Sequence, residues 1–372
     1  MNDTSPQLRR RGFLGTALAA ASGMAVTRML PGATVAPKTA PGKFTLLDQK
    51  PWGNQTRRLK ITRGAQPVAS LIFPTDYPTH FRLKPELHHV CTPSGVAVTG
   101  SHEYCFIHHQ SIMCGHGKVQ ADGDERMIDF YRHLPFPFPG RRDPNRAPNA
   151  KNNLFQLGPS GLQRITQARW RVADEVVLHL ELAWQTRAMD REVGDTIATE
   201  ERFYRIANSE HGTVVDVFSK LMPADRPVTL IPENDHGYIG VRVHDFIDVD
   251  DGGIMRDSEG RTNPTEHFRE ATGERRIPRW VDCTGRIGTA TVGMAIMSHP
   301  GNVRNQWYMR EFGLMIISAA QTAPLRITAE KPFEFAVRFV AHDGVLAPAA
   351  ANRLHADFSA TRADELRVFM RS

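Results

Sequence analysis

A period of two in large apolar side chains is the feature that most limits what this chain can become. Val176, Leu178, Leu180, Leu182 and Trp184 are interleaved with Val177, His179, Glu181 and Ala183, and Phe333, Phe335, Val337 and Phe339 with Glu334, Ala336, Arg338 and Val340. Successive side chains of a strand point to opposite faces, so a period of two predicts strands with one buried face. Further strands are predicted over 68–73, 196–206, 213–221, 228–231, 286–297, 312–319 and 324–329. Turn signals fall between many of them: Asp251-Gly252-Gly253, His299-Pro300-Gly301 and Asp343-Gly344. Many strands with few helical stretches predict an all-β fold, a large sandwich. The clearest helix runs from Ala349 to Leu366, with Pro348 suited to its first turn. Residues 134–150, punctuated by Pro135, Pro137, Pro139, Pro144 and Pro148, read as a long loop.

The N-terminus carries a different signal. Arg9-Arg10-Arg11-Gly12-Phe13-Leu14 precedes an Ala-rich apolar stretch and then Pro31-Gly32. Paired arginines before a modest apolar segment form the twin-arginine export pattern. Residues 1–40 are therefore expected to be a signal peptide and linker, with cleavage near Val35 to Ala40. Residues 41–372 are expected to form one soluble domain in the periplasm or outside the cell, with the twin-arginine translocon as a partner during export. Phe13 to Val26 is too short for a comfortable membrane span, and no membrane association is expected after cleavage. Arg9, Arg10, Arg11, Arg28 and Lys38 face only Asp3 in this leader, which leaves the rest of the chain close to neutral. A near-neutral body excludes nucleic-acid binding, which needs a clustered basic face. Four cysteines, Cys91, Cys105, Cys114 and Cys283, leave both a disulfide and buried free thiols open.

Polar chemistry concentrates in a few places. Residues 88–116 hold His88, His89, Cys91, His102, Cys105, His108, His109, Cys114 and His116. Their spacing matches no standard zinc pattern; no cofactor is required, and a divalent metal is left open. Trp280 and Asp282, then His299, Asn302, Asn305, Trp307 and Arg310, combine aromatic faces with amide and guanidinium groups, a vocabulary suited to sugars. Glu200 and Arg202 share one face of a predicted strand. Asp235 and His236 precede another strand that contains Arg242.

Taken in order, four blocks carry a resemblance. They are Thr92-Pro93-Ser94-Gly95 through Thr99 with His108-His109 and His116-Gly117; His236-Gly237 to Arg242; Arg279-Trp280-Val281-Asp282 to Trp307-x-x-Arg310-x-Phe312-Gly313; and His342-Asp343-Gly344. Over roughly residues 65–345 the chain resembles the bacterial methane oxygenase PmoA-like family, a domain of unknown function. That resemblance implies a galactose-mutarotase-like β sandwich and a role in carbohydrate metabolism. Ser111-Ile112-Met113 replaces the family's usual Gly-Leu-Trp, and Gly301 intervenes before Asn302. The expected function is a carbohydrate-processing enzyme, an epimerase, lyase or hydrolase, acting on a small-molecule or oligosaccharide substrate. The alternatives are a non-catalytic glycan-binding protein and a metal-dependent oxidoreductase. His109, His236, Glu200 and Asp282 are the expected catalytic residues: a His with Glu200 for acid–base chemistry, or Glu200 with Asp282 for hydrolysis. His108, Arg202, Asp235, Arg242, Trp280, His299, Asn302, Asn305, Trp307 and Arg310 are expected to bind substrate.

Overall fold

The computed structural model describes residues 42–50, 56–74, 82–103, 106–132, 160–187, 193–265, 267–268 and 276–371. The twin-arginine segment, the 134–150 loop and Cys105 lie outside the described residues. Among those described, strands dominate and every strand pairing is antiparallel.

One sheet has nine strands, in spatial order β1 (Phe44–Gln49), β2 (Arg58–Arg63), β3 (Gln66–Ile72), β4 (Glu86–Leu87), β7 (Ile112–His116), β14 (Gly237–Arg242), β20 (Leu314–Ser318), β19 (Gln306–Met309) and β16 (His267–Phe268). A second has eight: β15 (Ile254–Asp257), β17 (Trp280–Ile287), β18 (Ala290–Ser298), β22 (Phe333–Asp343), β12 (Gly212–Pro223), β11 (Val193–Ser209), β10 (Val176–Arg187) and β9 (Gly161–Val172). Smaller sheets join β21 (Leu325–Ile327), β13 (Val228–Leu230) and β8 (Val119–Ala121), and pair β5 (Ser101–Glu103) with β6 (Phe106–Gln110).

The two large sheets pack face to face. Ile112, Cys114, Ile239, Val241, Met315 and Ile317 of the first bury against Leu178, Leu180, Val217, Met294, Val337 and Phe339 of the second. The chain is thus the large all-β sandwich that the alternation predicts. The opposite phase of the eight-stranded sheet is also apolar, at Val177, Phe203, Phe218, Met297 and Val340. Two helices, α1 (Pro348–Ala360) and α2 (Ala363–Arg371), cover it with Leu354, Phe358 and Leu366. The expected C-terminal helix is present but is interrupted at Thr361. That residue is extended (φ −78°, ψ 138°), its N–H bonds Phe358 O, and its hydroxyl reaches back to Asp357 O. Arg338 locks α1 down. Its Nε and Nη2 grip the Asp216 carboxylate at 2.6 and 2.9 Å, and Nη1 donates to Leu354 O at 2.8 Å.

The expected strand over 286–297 is corrected to two, β17 and β18. Gly288, at φ +61°, supplies the left-handed turn residue of the hairpin between them. Among the described residues no helix is long and apolar enough to cross a membrane. Cys91, Cys114 and Cys283 are buried free thiols.

The outward face of the nine-stranded sheet positions the site. Met113, Tyr131, Tyr308, Leu314 and Ile316 form a compact apolar patch there, with Phe312 against it, and polar residues gather around it.

Candidate active site

Three chain segments meet on this face. The end of β6 brings His108 and His109. The 129–132 turn brings Tyr131 and Arg132, whose backbone N–H groups both donate to Asp129 Oδ1, at 2.8 and 2.7 Å. The segment entering β14 brings Glu233, Asp235 and His236. It is anchored by Gly117 N donating to His236 O at 2.8 Å and Glu233 N to Ala320 O at 3.0 Å. Gly117 is required by crowding. A Cβ there would stand 3.0 Å from His236 Cβ, 3.2 Å from Arg132 Nη2 and 3.3 Å from Glu233 Oε2.

Ring centroids of His108 lie 4.4 Å from His109, 5.6 Å from His236 and 6.0 Å from Tyr131. Tyr131 meets His236 edge-on at 5.1 Å, and Phe312 stacks on His109 at 5.8 Å and 13°. Lys84, 1% exposed, lies beneath and ties two of the segments together. Its Nζ donates to His108 O at 3.1 Å and to Tyr131 O at 2.5 Å.

Electrostatics divide the histidines. Burial, reinforced by the charges of His236, Lys84 and Arg132, pushes His108 down to about 2. Burial with the charges of His108 and Arg242 holds His109 well below the usual imidazole range. His236 goes the other way. Burial opposes its charge, but hydrogen bonds to Asp235 and Glu233 outweigh it and raise the imidazole above its ordinary value. Its Nδ1 is 2.5 Å from Asp235 Oδ1 and 3.6 Å from Glu233 Oε1. Arg132 Nη2 bonds Glu233 Oε1 at 3.0 Å and sits 3.2 Å from the same imidazole nitrogen. The same burial pushes Lys84 down to about 7. Glu233, Asp235 and His236 offer ligand atoms within 4.8 Å of one another and are the described residues best grouped to hold a metal. Arg132 already brings a cation to that spot.

Of the residues expected from sequence, His108, His109, Asp235, His236 and Arg242 come together here, with Arg310 at the rim. Arg310 lies 5.7 Å from the Phe312 ring and is paired with Glu311 at 3.0 Å. The others are placed elsewhere. Glu200 and Arg202 point into the core between the sheets, in phase with Ala198, Tyr204 and Ile206. Arg202 Nε and Nη2 bond the Glu200 carboxylate at 2.7 and 2.6 Å, and Trp184 Nε1 and Ser219 Oγ also donate to it. Asp282 points to the other face of the eight-stranded sheet, where it meets His342 Nε2 at 2.8 Å and Thr284 Oγ1 at 2.7 Å. Neither expected pairing therefore forms. Glu200 is separated from His109 and His236 by the nine-stranded sheet, and from Asp282 by the eight-stranded one.

Trp280 donates to Asn352 Oδ1 of α1 at 2.9 Å, and Trp307 is fully buried in the core. Asn302 bonds Ala336 N and O, and Asn305 Nδ2 bonds His299 O. These amides stitch a loop to the sheet. His299 and Asn302 do border a cleft of about 430 Å³ with Lys220, Glu334 and Arg362, on the helix-covered side of the molecule.

Sequence reasoning missed Lys84, Tyr131, Arg132, Glu233 and Phe312. Glu233, three residues before His236, and Phe312, two after Arg310, were within reach of spacing. Lys84 and Arg132 were not, since only the fold brings them to the cluster.

A family model described as a family of unknown function, DUF6807, matches residues 58–356. This corrects the resemblance to the PmoA-like family, of which the comparison shows nothing. No curated protein matches the chain. Among solved structures it is similar to a GH36 α-galactosidase from Geobacillus stearothermophilus in complex with raffinose. Identity is 12%, 77% of this chain and 40% of that one are covered, and the TM-score is 0.35. It is also similar to a protein of Salmonella typhimurium provisionally assigned as a mutarotase (10% identity, 81% and 97% covered, TM-score 0.33). A third is a galactose-mutarotase-related enzyme from Lactobacillus acidophilus (8% identity, 74% and 95% covered, TM-score 0.23). Likeness at these scores carries no functional argument.

Proposed function

The chain belongs to DUF6807, a family of unknown function, and we propose that it is an acid–base enzyme that processes sugars, of the epimerase or lyase kind. The observation that carries this reading is a pair of imidazoles 5.6 Å apart whose surroundings push their proton affinities in opposite directions. His108, with His109 beside it, is held in the neutral form, the one that can accept a proton. His236 is shifted toward its protonated form by two carboxylates. Environments that push two neighbouring groups apart in this way assign a base and an acid. With Nδ1–H of His236 held by Asp235, Nε2–H is the proton it can give.

A pyranose set against Phe312, the half-buried ring beside His109, would present a C–H or hydroxyl toward the two groups, its apolar face on that ring. A two-carboxylate hydrolase is less well supported, because Glu200 and Asp282 lie on opposite faces of the eight-stranded sheet. The twin-arginine leader adds the proposal of export to the periplasm or beyond.

The test follows a panel of mono- and oligosaccharides by NMR with the purified protein. Turnover of at least one sugar, reduced about 100-fold or more in His236→Gln, is the expected result. Binding without turnover would favour a glycan-binding protein, and neither binding nor turnover would remove the sugar reading.

A further inference from the structure

We propose that the sugar taken by this site carries an oxyanion, a carboxylate or a sulfate ester, and that Arg242 holds it. The inference rests on reading the histidine cluster as a sugar site and goes on to name the substrate class.

Arg242, on β14, is 4% exposed. Its Nη2 donates to Asp245 Oδ1 at 2.6 Å and lies 3.9 Å from Asp248 Oδ2. Nε and Nη1 are equally buried and find no acceptor among the described residues. Buried donors in folded proteins are nearly always paired, and leaving those of a cation unpaired is costly. An acceptor that arrives with the ligand resolves the cost. Nε–H and Nη1–H leave different edges of the guanidinium, and an anionic oxygen accepts from either in a charge-assisted bond stronger than one to a neutral hydroxyl.

The position is also right. The Phe312 ring lies 5.3 Å from the Arg242 guanidinium, 5.8 Å from the His109 ring and 5.7 Å from Arg310. One half-buried aromatic thus separates the unpaired donors from the base, with a second cation at the rim. Phe312 rides on the tight turn between β19 and β20, where Gly313 N donates to Arg310 O at 3.0 Å and Gly313 sits at φ +77°. Phe312, which packs against both the His109 ring and the Arg242 guanidinium, is the ring a ligand would have to displace to reach them. Burial is the main cause that holds His109 neutral, with the Arg242 charge adding to it, and an oxyanion there would offset that added part and make His109 a stronger base. The substrate's own charge would prepare the group that attacks it.

The experiment measures calorimetric affinity of the full chain for matched trios: gluco-, galacto- and mannopyranose as the neutral sugar, the uronic acid and the 6-sulfate. The expected result is binding at least about tenfold tighter for one charged form over its neutral parent. That preference is lost in Arg242→Met and partly kept in Arg242→Lys. Which charged form wins identifies the oxyanion. Equal affinity across all three trios, or a charge preference that survives Arg242→Met, overturns the proposal. If neutral sugars are then still turned over, the acid–base reading stands without it. Arg242-dependent binding of charged sugars with no turnover keeps this proposal and removes the acid–base reading. No binding of any sugar removes both. A readout on the wild-type chain covers the case in which Arg242→Met does not fold. The His109 ring nitrogens shift in NMR on adding the charged sugar and not its neutral parent, and no shift overturns the proposal.

Discussion

Replacing Glu200 by Ala should unfold this protein earlier rather than disable its chemistry. Glu200 and Arg202 are completely buried side chains. Besides the paired arginine, the carboxylate accepts from Trp184 Nε1 at 2.8 Å and from Ser219 Oγ at 2.6 Å. Ser219 Oγ in turn lies 2.7 Å from Tyr238 OH, so the network joins the two sheets. Removing the acid leaves a guanidinium in the core without its counter-charge, and breaking one side of a buried pair costs about 3–5 kcal/mol. Unfolding entropy near 2.1 cal/mol/K per residue over roughly 330 residues gives about 0.7 kcal/mol/K, so the midpoint should fall by about 4–7 °C. Differential scanning calorimetry measures it directly. Turnover per folded molecule, measured well below the midpoint, should stay within about twofold of wild type, since no substrate can bridge the nine-stranded sheet to reach Glu200. A variant with an unchanged midpoint and abolished turnover would refute the assignment of Glu200 to the core and return it to the catalytic list.

Turnover should fall as pH rises through the raised value of His236, above the ordinary imidazole range near 6.5. His108, neutral down to about 2, imposes no limb on the acid side; a pH–rate profile shows this, and a profile rising to pH 9 contradicts it. The buried His342–Asp282 pair should stabilise the fold in the acid direction. Burial opposes the charge on His342, yet Asp282 raises it, so its contribution is complete below about 6.5 and is lost as pH climbs through the raised value. Urea titrations of wild type and His342→Gln should therefore converge with rising pH, and parallel curves would contradict the pairing. Gly117→Ala should displace His236, Arg132 and Glu233, the groups its Cβ would crowd at 3.0–3.3 Å. It should cost about 1–3 kcal/mol and up to about 100-fold in turnover, and wild-type kinetics would show the cluster tolerates the shift.

Half of the candidate site was legible before the fold. His108, His109, Asp235, His236, Arg242 and Arg310 drew notice because rare polar types clustered within short stretches. Glu200 and Arg202 drew notice by the same logic and were misassigned. Alternation correctly placed them on one face of β11, but it is silent on whether that face meets water, a ligand or another sheet. Trp280 and Trp307 show the same limit. An aromatic beside polar neighbours suits a sugar platform, and it equally suits the core or a helix contact, as at Trp280 and Asn352.

The period of two in β10 and β22 determined by itself that these segments are strands, because side-chain direction along a strand is local geometry. That α1 and α2 cover the second face, at Val177, Ala336 and Val340, came from the structure, since the alternation predicts one buried face. Only the tertiary structure decided which polar residues share a space. The acid–base cluster draws on Lys84, the 108–109 pair, the 129–132 turn, the 233–236 segment, Arg242 and Phe312, more than 220 positions apart at the extremes. Whether a carboxylate is a catalyst or half of a buried ion pair depends on what lies across the sheet, and that is set by long-range packing which no local pattern encodes.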